Sequence, residues 1–179
     1  MATPTTSQTI GPFFHFVADP AMRDLTRFGA SGRRIVVHGR VIDGAGAPVA
    51  DGCVETWQAV PATSERFPGW GRCATDAAGR YRLITIAPGP TEGRDGRPYA
   101  PHLAVTVFAR GLLKGLHTRC YFDGEPLNRT DPVLASIDPA RRATLIAAPD
   151  VTEADDHFRF DIRLQGAGET VFFELAEWP

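Results

Sequence analysis

The order of apolar and polar residues changes character at Arg34. Before it, residues 1–31 show little periodicity, and Gly11-Pro12-Phe13-Phe14 reads as a turn and an aromatic pair on an N-terminal arm. After it, apolar side chains recur at every second position, the spacing that puts them on one face of a strand. Arg34–Ile42 is predicted as a strand closed by the turn Asp43-Gly44-Ala45-Gly46. Residues 54–59, with Trp57, form the next strand. The turn Asp76-Ala77-Ala78-Gly79 leads into a strand over 81–86 that stops at Pro88-Gly89-Pro90. Leu103, Val105 and Val107 alternate with Ala104, Thr106 and Phe108 in a long central strand, and 116–122 follows it before the turn Asp123-Gly124.

One helix is predicted, where Asp138-Pro139-Ala140-Arg141 supplies an N-cap and a first-turn proline, with helix formers to about Ala147. At the C-terminus Phe158, Phe160, Ile162 and Leu164 alternate with Arg159, Asp161, Arg163 and Gln165. Gly166-Ala167-Gly168 turns the chain, and Val171, Phe173 and Leu175 form the inward set of a second strand, giving a hairpin with one buried face. Many short strands and one short helix predict an all-β chain, a β-sandwich over 34–179 preceded by the arm 1–33, in a single domain. At 179 residues, 43% hydrophobic and 22% charged, the chain is long and apolar enough to close a core without staples.

Charge and cysteine content narrow the partners. Lys+Arg 19 against Asp+Glu 21 gives a net charge of −2, and no basic stripe with interleaved aromatics appears, so nucleic acid is not expected as a partner. No apolar run approaches the roughly 20 residues needed to span a bilayer, and the N-terminus lacks a secretory pattern. Cys53, Cys73 and Cys120 contain no C-x-x-C and read as reduced thiols of a cytoplasmic protein. Motifs of self-contained chemistry are missing. No serine sits in G-x-S-x-G, and Gly44-Ala45-Gly46 lacks the third glycine of a dinucleotide loop. The histidines, His15, His38, His102, His117 and His157, include no i, i+2 pair that would leave one face of a strand together.

Three stretches carry a resemblance. They are Val54-Glu55-Thr56-Trp57-Gln58-Ala59, then Gly71-Arg72-Cys73-Ala74-Thr75-Asp76 with Gly79 and Tyr81, then Ile86-Ala87-Pro88-Gly89-Pro90. Together they resemble the intradiol ring-cleavage dioxygenases, which open catechols with a non-haem Fe(III), and the similarity runs from Thr5 to Leu175. The opening Thr6-Ser7-Gln8-Thr9-Ile10-Gly11-Pro12-Phe13 and the closing Phe160-Asp161-Ile162-Arg163-Leu164-Gln165-Gly166 resemble the family's two-chain members, in which a homologous β chain carries the iron.

That resemblance implies a metal site of two tyrosines and two histidines, a donor set suited to a hard ferric ion. Here residues 60–70 contain no tyrosine, and Thr91 stands where the second tyrosine belongs. Tyr99-Ala100-Pro101-His102-Leu103-Ala104 replaces Arg-Pro-x-His-x-His, so His102 alone matches. The resemblance therefore implies a chain with no catalytic and no metal-ligating residue of its own. Its partners would be the iron-bearing β chain in a larger hetero-oligomer, with a small aromatic substrate and O2 at the interface between the chains. The positions matching the family's substrate contacts are Thr9, Gly11, Pro12 and Phe13 on the arm, and Arg110 in Phe108-Ala109-Arg110-Gly111. A guanidinium at Arg110 would face a substrate carboxylate.

An alternative from another class is a non-enzymatic, prealbumin-like sandwich module. Its turns share the run Asp43-Gly44, Pro48-Val49-Ala50, Thr75-Asp76, Gly79-Arg80-Tyr81 and Pro88-Gly89. A homo-oligomeric dioxygenase with its own iron is opposed by the missing ligands. The arm and the C-terminal hairpin favour the enzyme subunit.

Overall fold

The computed structural model describes residues 19–93, 96–153 and 156–174. Its strands, in chain order, are β1 (Arg34–Ile42), β2 (Cys53–Trp57), β3 (Trp70–Ala74), β4 (Arg80–Ile86), β5 (Thr91–Glu92), β6 (Pro98–Tyr99), β7 (His102–Phe108), β8 (Leu116–Phe122), β9 (Ile146–Pro149), β10 (His157–Arg159) and β11 (Ile162–Arg163). One layer pairs β4 antiparallel to β1, whose other edge takes β10 and then β11 in parallel. The other layer runs β3–β2–β7–β8, antiparallel throughout. Strand β9 joins the layers, pairing parallel with β8 and antiparallel with β10. The result is the sandwich that the short alternating strands predict.

The core lies between the layers. Ile35, Val37, Val41, Tyr81 and Leu83 face Val54, Leu103, Val105, Val107 and Cys120, all in one buried cluster. These are the alternate positions of β1, β4, β2, β7 and β8, so period-two spacing is what fills the interior. Gly39 continues the inward set of β1 and must lack a side chain: a Cβ there would lie 2.0 Å from the Phe160 carbonyl oxygen. The Tyr81 hydroxyl donates to that same carbonyl at 2.5 Å, fixing the break between β10 and β11 against β1. The cysteines are free and buried, and burial pushes their thiols up, Cys53 to about 12, so they act as small packing groups.

The structure corrects two expectations. The α-helix is α1 (Pro132–Ser136), capped by Asp131, and not the stretch after Asp138. Asp138 does cap a turn, accepting from the Ala140 N–H, but the chain makes only a 3₁₀ turn (Arg142–Leu145) before Ile146 and Ala147 pair with Tyr121 and Phe122 as β9. Strand pairing with β8 and β10 outweighs the local helix signal. At the C-terminus, Phe160 and Ile162 are buried as expected. The return segment, however, makes no regular hairpin: Thr170 bonds back to Arg163, and Phe173 then bridges to His117 on β8. Leu175 lies outside the described residues. Of the segment before β1, residues 19–33 are described in part by a 3₁₀ turn (Pro20–Arg23) and by Leu25, which is buried with Phe67 and Ile86.

A second, smaller core holds Ala100, Tyr121, Leu134, Leu145 and Val171 around the Asp131 carboxylate, which is fully buried. Its Oδ1 accepts from the Val133 and Leu134 N–H groups, both at 2.9 Å, and from the Tyr121 hydroxyl at 3.2 Å. Its Oδ2 accepts from the Ala100 N–H at 2.8 Å. Removing such an acceptor strands several buried donors at once. Asp131→Ala is therefore expected to cost about 3–5 kcal/mol in urea unfolding. Asp131→Asn keeps one acceptor oxygen but points an amide at the donors, and should lose a smaller part. An Asp131→Ala loss below about 1 kcal/mol would refute this role.

Candidate functional site

Two places were singled out by sequence, and β7 separates them. Arg110 lies two residues beyond the end of β7, next to Gly111, whose φ of 87° turns the chain. Its side chain is 72% exposed, and its Nε sits 3.1 Å from an Asp51 carboxylate oxygen. Leu113, in the same loop, is 80% exposed. Arg110 is thus a guanidinium on an open rim, tethered by its ion pair with Asp51. Thr9, Gly11, Pro12 and Phe13 lie outside the described residues.

His102 opens β7 at the other end, eight positions from Arg110, or up to about 26 Å at roughly 3.3 Å per residue. It borders a cleft of about 280 Å³ lined also by Trp57, Gln58, Thr91, Tyr99 and Arg119. Strand register builds this cleft. Trp57 on β2 stands opposite Ala104 on β7, and Ala104 stands opposite Arg119 on β8. One row across three strands therefore carries an indole, a methyl group and a guanidinium. The neighbouring row pairs His102 with Tyr121. Tyr99 comes from the short β5–β6 hairpin, where it pairs with Thr91.

Hydrogen bonds fix the chemistry of each group. His102 Nδ1 is 2.7 Å from the Ala100 carbonyl oxygen, which can only accept, so Nδ1 carries the proton of the neutral ring. Burial lowers the His102 pKa, with the Arg119 charge adding to the effect against the Ala100 hydrogen bond. Arg119 stacks over the Tyr99 ring at 4.8 Å from its centroid and donates through Nη1 to the Tyr121 hydroxyl at 3.2 Å. Burial raises the Tyr121 phenol well above its usual range, so it is a neutral hydroxyl that donates to Asp131.

The ferric ion implied by the resemblance does not fit this donor set. Ala104 and Thr91 stand at two of the ligand positions. The nearby phenol of Tyr121 is protonated and committed to Asp131, and the guanidinium of Arg119 fixes a positive charge beside His102. Among the described residues no three His, Cys, Asp or Glu side chains gather as a metal site.

Sequence reasoning placed His102 and Tyr99 in this region but passed over Arg119. The alternation of β8 held the signal: Thr118, Cys120 and Phe122 lie buried on one face, and Arg119 falls on the opposite face with Tyr121, across from β7's Ala104.

The chain is similar to known proteins along nearly its whole length. A family model for dioxygenases matches residues 11–166. The chain is 42% identical to the protocatechuate 3,4-dioxygenase alpha chain of Pseudomonas putida over 96% of each chain. It is 35% identical to the protocatechuate 3,4-dioxygenase beta chain of Burkholderia cepacia over 92% of this chain and 77% of that one. Among solved structures, the dioxygenase domain of a dioxygenase–carbohydrate-binding protein fusion from Streptomyces sp. SirexAA-E superposes with a TM-score of 0.63 at 30% identity, covering 92% of this chain and 99% of that one. With the sandwich fold and matches of this extent, the chain belongs to the intradiol ring-cleavage dioxygenase family.

Proposed function

We propose that this chain is the iron-free α subunit of a protocatechuate 3,4-dioxygenase. The family is Fe(III)-dependent. In this reading the Fe(III) belongs to a homologous β chain, and the α chain completes the substrate pocket from across the interface. The assembly adds both atoms of O2 to 3,4-dihydroxybenzoate and cleaves the ring between the hydroxyl-bearing carbons, giving 3-carboxy-cis,cis-muconate. The observation that carries the reading is a full-length likeness to α chains in a chain whose cleft at His102 does not fit the ferric donor set. The cytoplasm is the compartment consistent with three buried free thiols.

What this chain contributes is binding and orientation. Arg110 is exposed beside Leu113 on one rim, available to a partner, and a carboxylate can take the face of its guanidinium that Asp51 leaves. The arm residues Thr9, Gly11, Pro12 and Phe13 would close the same pocket, with glycine and proline allowing close backbone approach.

Purified alone with added iron, the chain should hold no stoichiometric metal and cleave no catechol. Co-expressed with the iron-bearing β chain, it should elute as a hetero-oligomer that consumes protocatechuate and O2 in equal amounts. Stoichiometric iron with a phenolate charge-transfer band in the chain alone would overturn the assignment.

Arg110 gives a sharper test within the assembly. A carboxylate loses water on entering the pocket, and a guanidinium replaces it with two parallel hydrogen bonds. Breaking such a pair costs roughly 2–5 kcal/mol. An open rim places the loss at the low end, about 2 kcal/mol, somewhat over tenfold. Arg110→Ala should raise KM for protocatechuate by that factor with less effect on kcat, because the contact exists before and during the reaction. Catechol, lacking the carboxylate, should change little, and Arg110→Lys should recover part of the loss. Equal losses for both substrates would assign Arg110 to the subunit interface instead.

A further inference from the structure

The geometry points to a second ligand site in this chain: the cleft at His102 binds a small monohydroxylated aromatic carboxylate, with the carboxylate on Arg119 and the hydroxyl on His102 Nε2. The size, walls and polar ends of the cleft define that ligand. The cleft of about 280 Å³ stands near the lower end of small-molecule sites, which run from about 300 to 1,000 Å³. Trp57 and Arg119, which both line it, stand two strand spacings of about 4.8 Å each apart in the row Trp57–Ala104–Arg119. A flat ring fits between two such walls. Trp57, 48% exposed, and Tyr99 offer the apolar faces.

The polar ends of the cleft have opposite requirements. Arg119 has planar N–H donors beyond the one given to Tyr121, and its stacking on Tyr99 holds the fork in place. It calls for an anion. His102 gives its one proton to the Ala100 carbonyl, so Nε2 presents a lone pair. Burial keeps the ring neutral, which preserves that lone pair at neutral pH. It calls for a hydroxyl donor and repels a carboxylate. A ligand satisfying both carries one carboxylate and one hydroxyl on the same ring. Glu92, exposed on the rim of the same cleft, disfavours a second carboxylate and so the open-chain dicarboxylates and tricarboxylates. Arg110 does not line this cleft, and the site is tested on this chain alone, so its test is separate from that of the assembly.

Isothermal titration of the full chain, without iron, with 4-hydroxybenzoate, benzoate and phenol decides the matter. 4-Hydroxybenzoate should bind at least about tenfold more tightly than either ligand that lacks one of its polar groups. Arg119→Gln should weaken 4-hydroxybenzoate at least about tenfold and change phenol less than about twofold. The Trp57 indole N–H resonance should shift on binding. The proposal fails if 4-hydroxybenzoate gives no heat at millimolar concentration, if benzoate binds equally well, or if Arg119→Gln leaves its affinity unchanged. Should Arg119→Gln not fold, the ligand series and the Trp57 shift on the unaltered chain decide alone.

Discussion

A buried carboxylate, Asp131, organises the end of the sandwich where the cleft lies. An uncompensated anion in a protein interior costs several kcal/mol, so the chain must bring donors to it. It does so from three places distant in sequence: the first turn of α1, the Ala100 N–H ahead of β7, and the Tyr121 hydroxyl on β8. Two of those groups then act outward. The carbonyl of Ala100 fixes the His102 tautomer, and the oxygen of Tyr121 accepts from Arg119. The cleft's two polar determinants are thereby held by one buried charge that never touches a ligand.

A second constraint acts at the opposite layer. Parallel pairing of β10 and β11 to one edge of β1 requires the chain to break at Phe160 and Asp161 without leaving a buried carbonyl unpaired. The Tyr81 hydroxyl satisfies that carbonyl, and the missing side chain at Gly39 lets it approach. The interior is thus set by apolar alternation, and these two irregular places are each secured by one buried polar group.

This division explains what was legible in the sequence. Strands β1, β7 and β8 follow from alternation because their inward residues are large and aliphatic. Strand β3 escaped notice: Trp70-Gly71-Arg72-Cys73-Ala74 has only a glycine and a cysteine at its buried positions. The helix was sought after Asp138-Pro139, while Asp131-Pro132 has the same local signal. What separates them is burial of the Asp131 carboxylate, a tertiary fact that the two dipeptides do not contain. The site divides in the same way. His102 and Arg110 were found through short motifs, whereas Trp57, Tyr99 and Arg119 come from three separate stretches, and only strand register brings them together.

The cleft also shows how a metal-binding geometry can change sign. An imidazole whose Nδ1–H is held by a backbone carbonyl is the arrangement that orients histidines towards metals, and His102 retains it. Around it the charges are reversed. The position two residues on is a methyl group, and across the strand pair from that methyl stands a guanidinium. A trivalent cation beside a fixed positive charge is disfavoured by Coulomb's law, and the low-dielectric surroundings that bury His102 strengthen that penalty. The same surroundings strengthen attraction for an anion. Without Arg119 the cleft would be a neutral hollow. Arg119, stacked on Tyr99 and tied through Tyr121 to Asp131, makes it a preorganised positive site. Arg119 therefore sets the charge of the cleft, and the Ala100 carbonyl, by holding the proton on His102 Nδ1, leaves Nε2 as a neutral acceptor beside it.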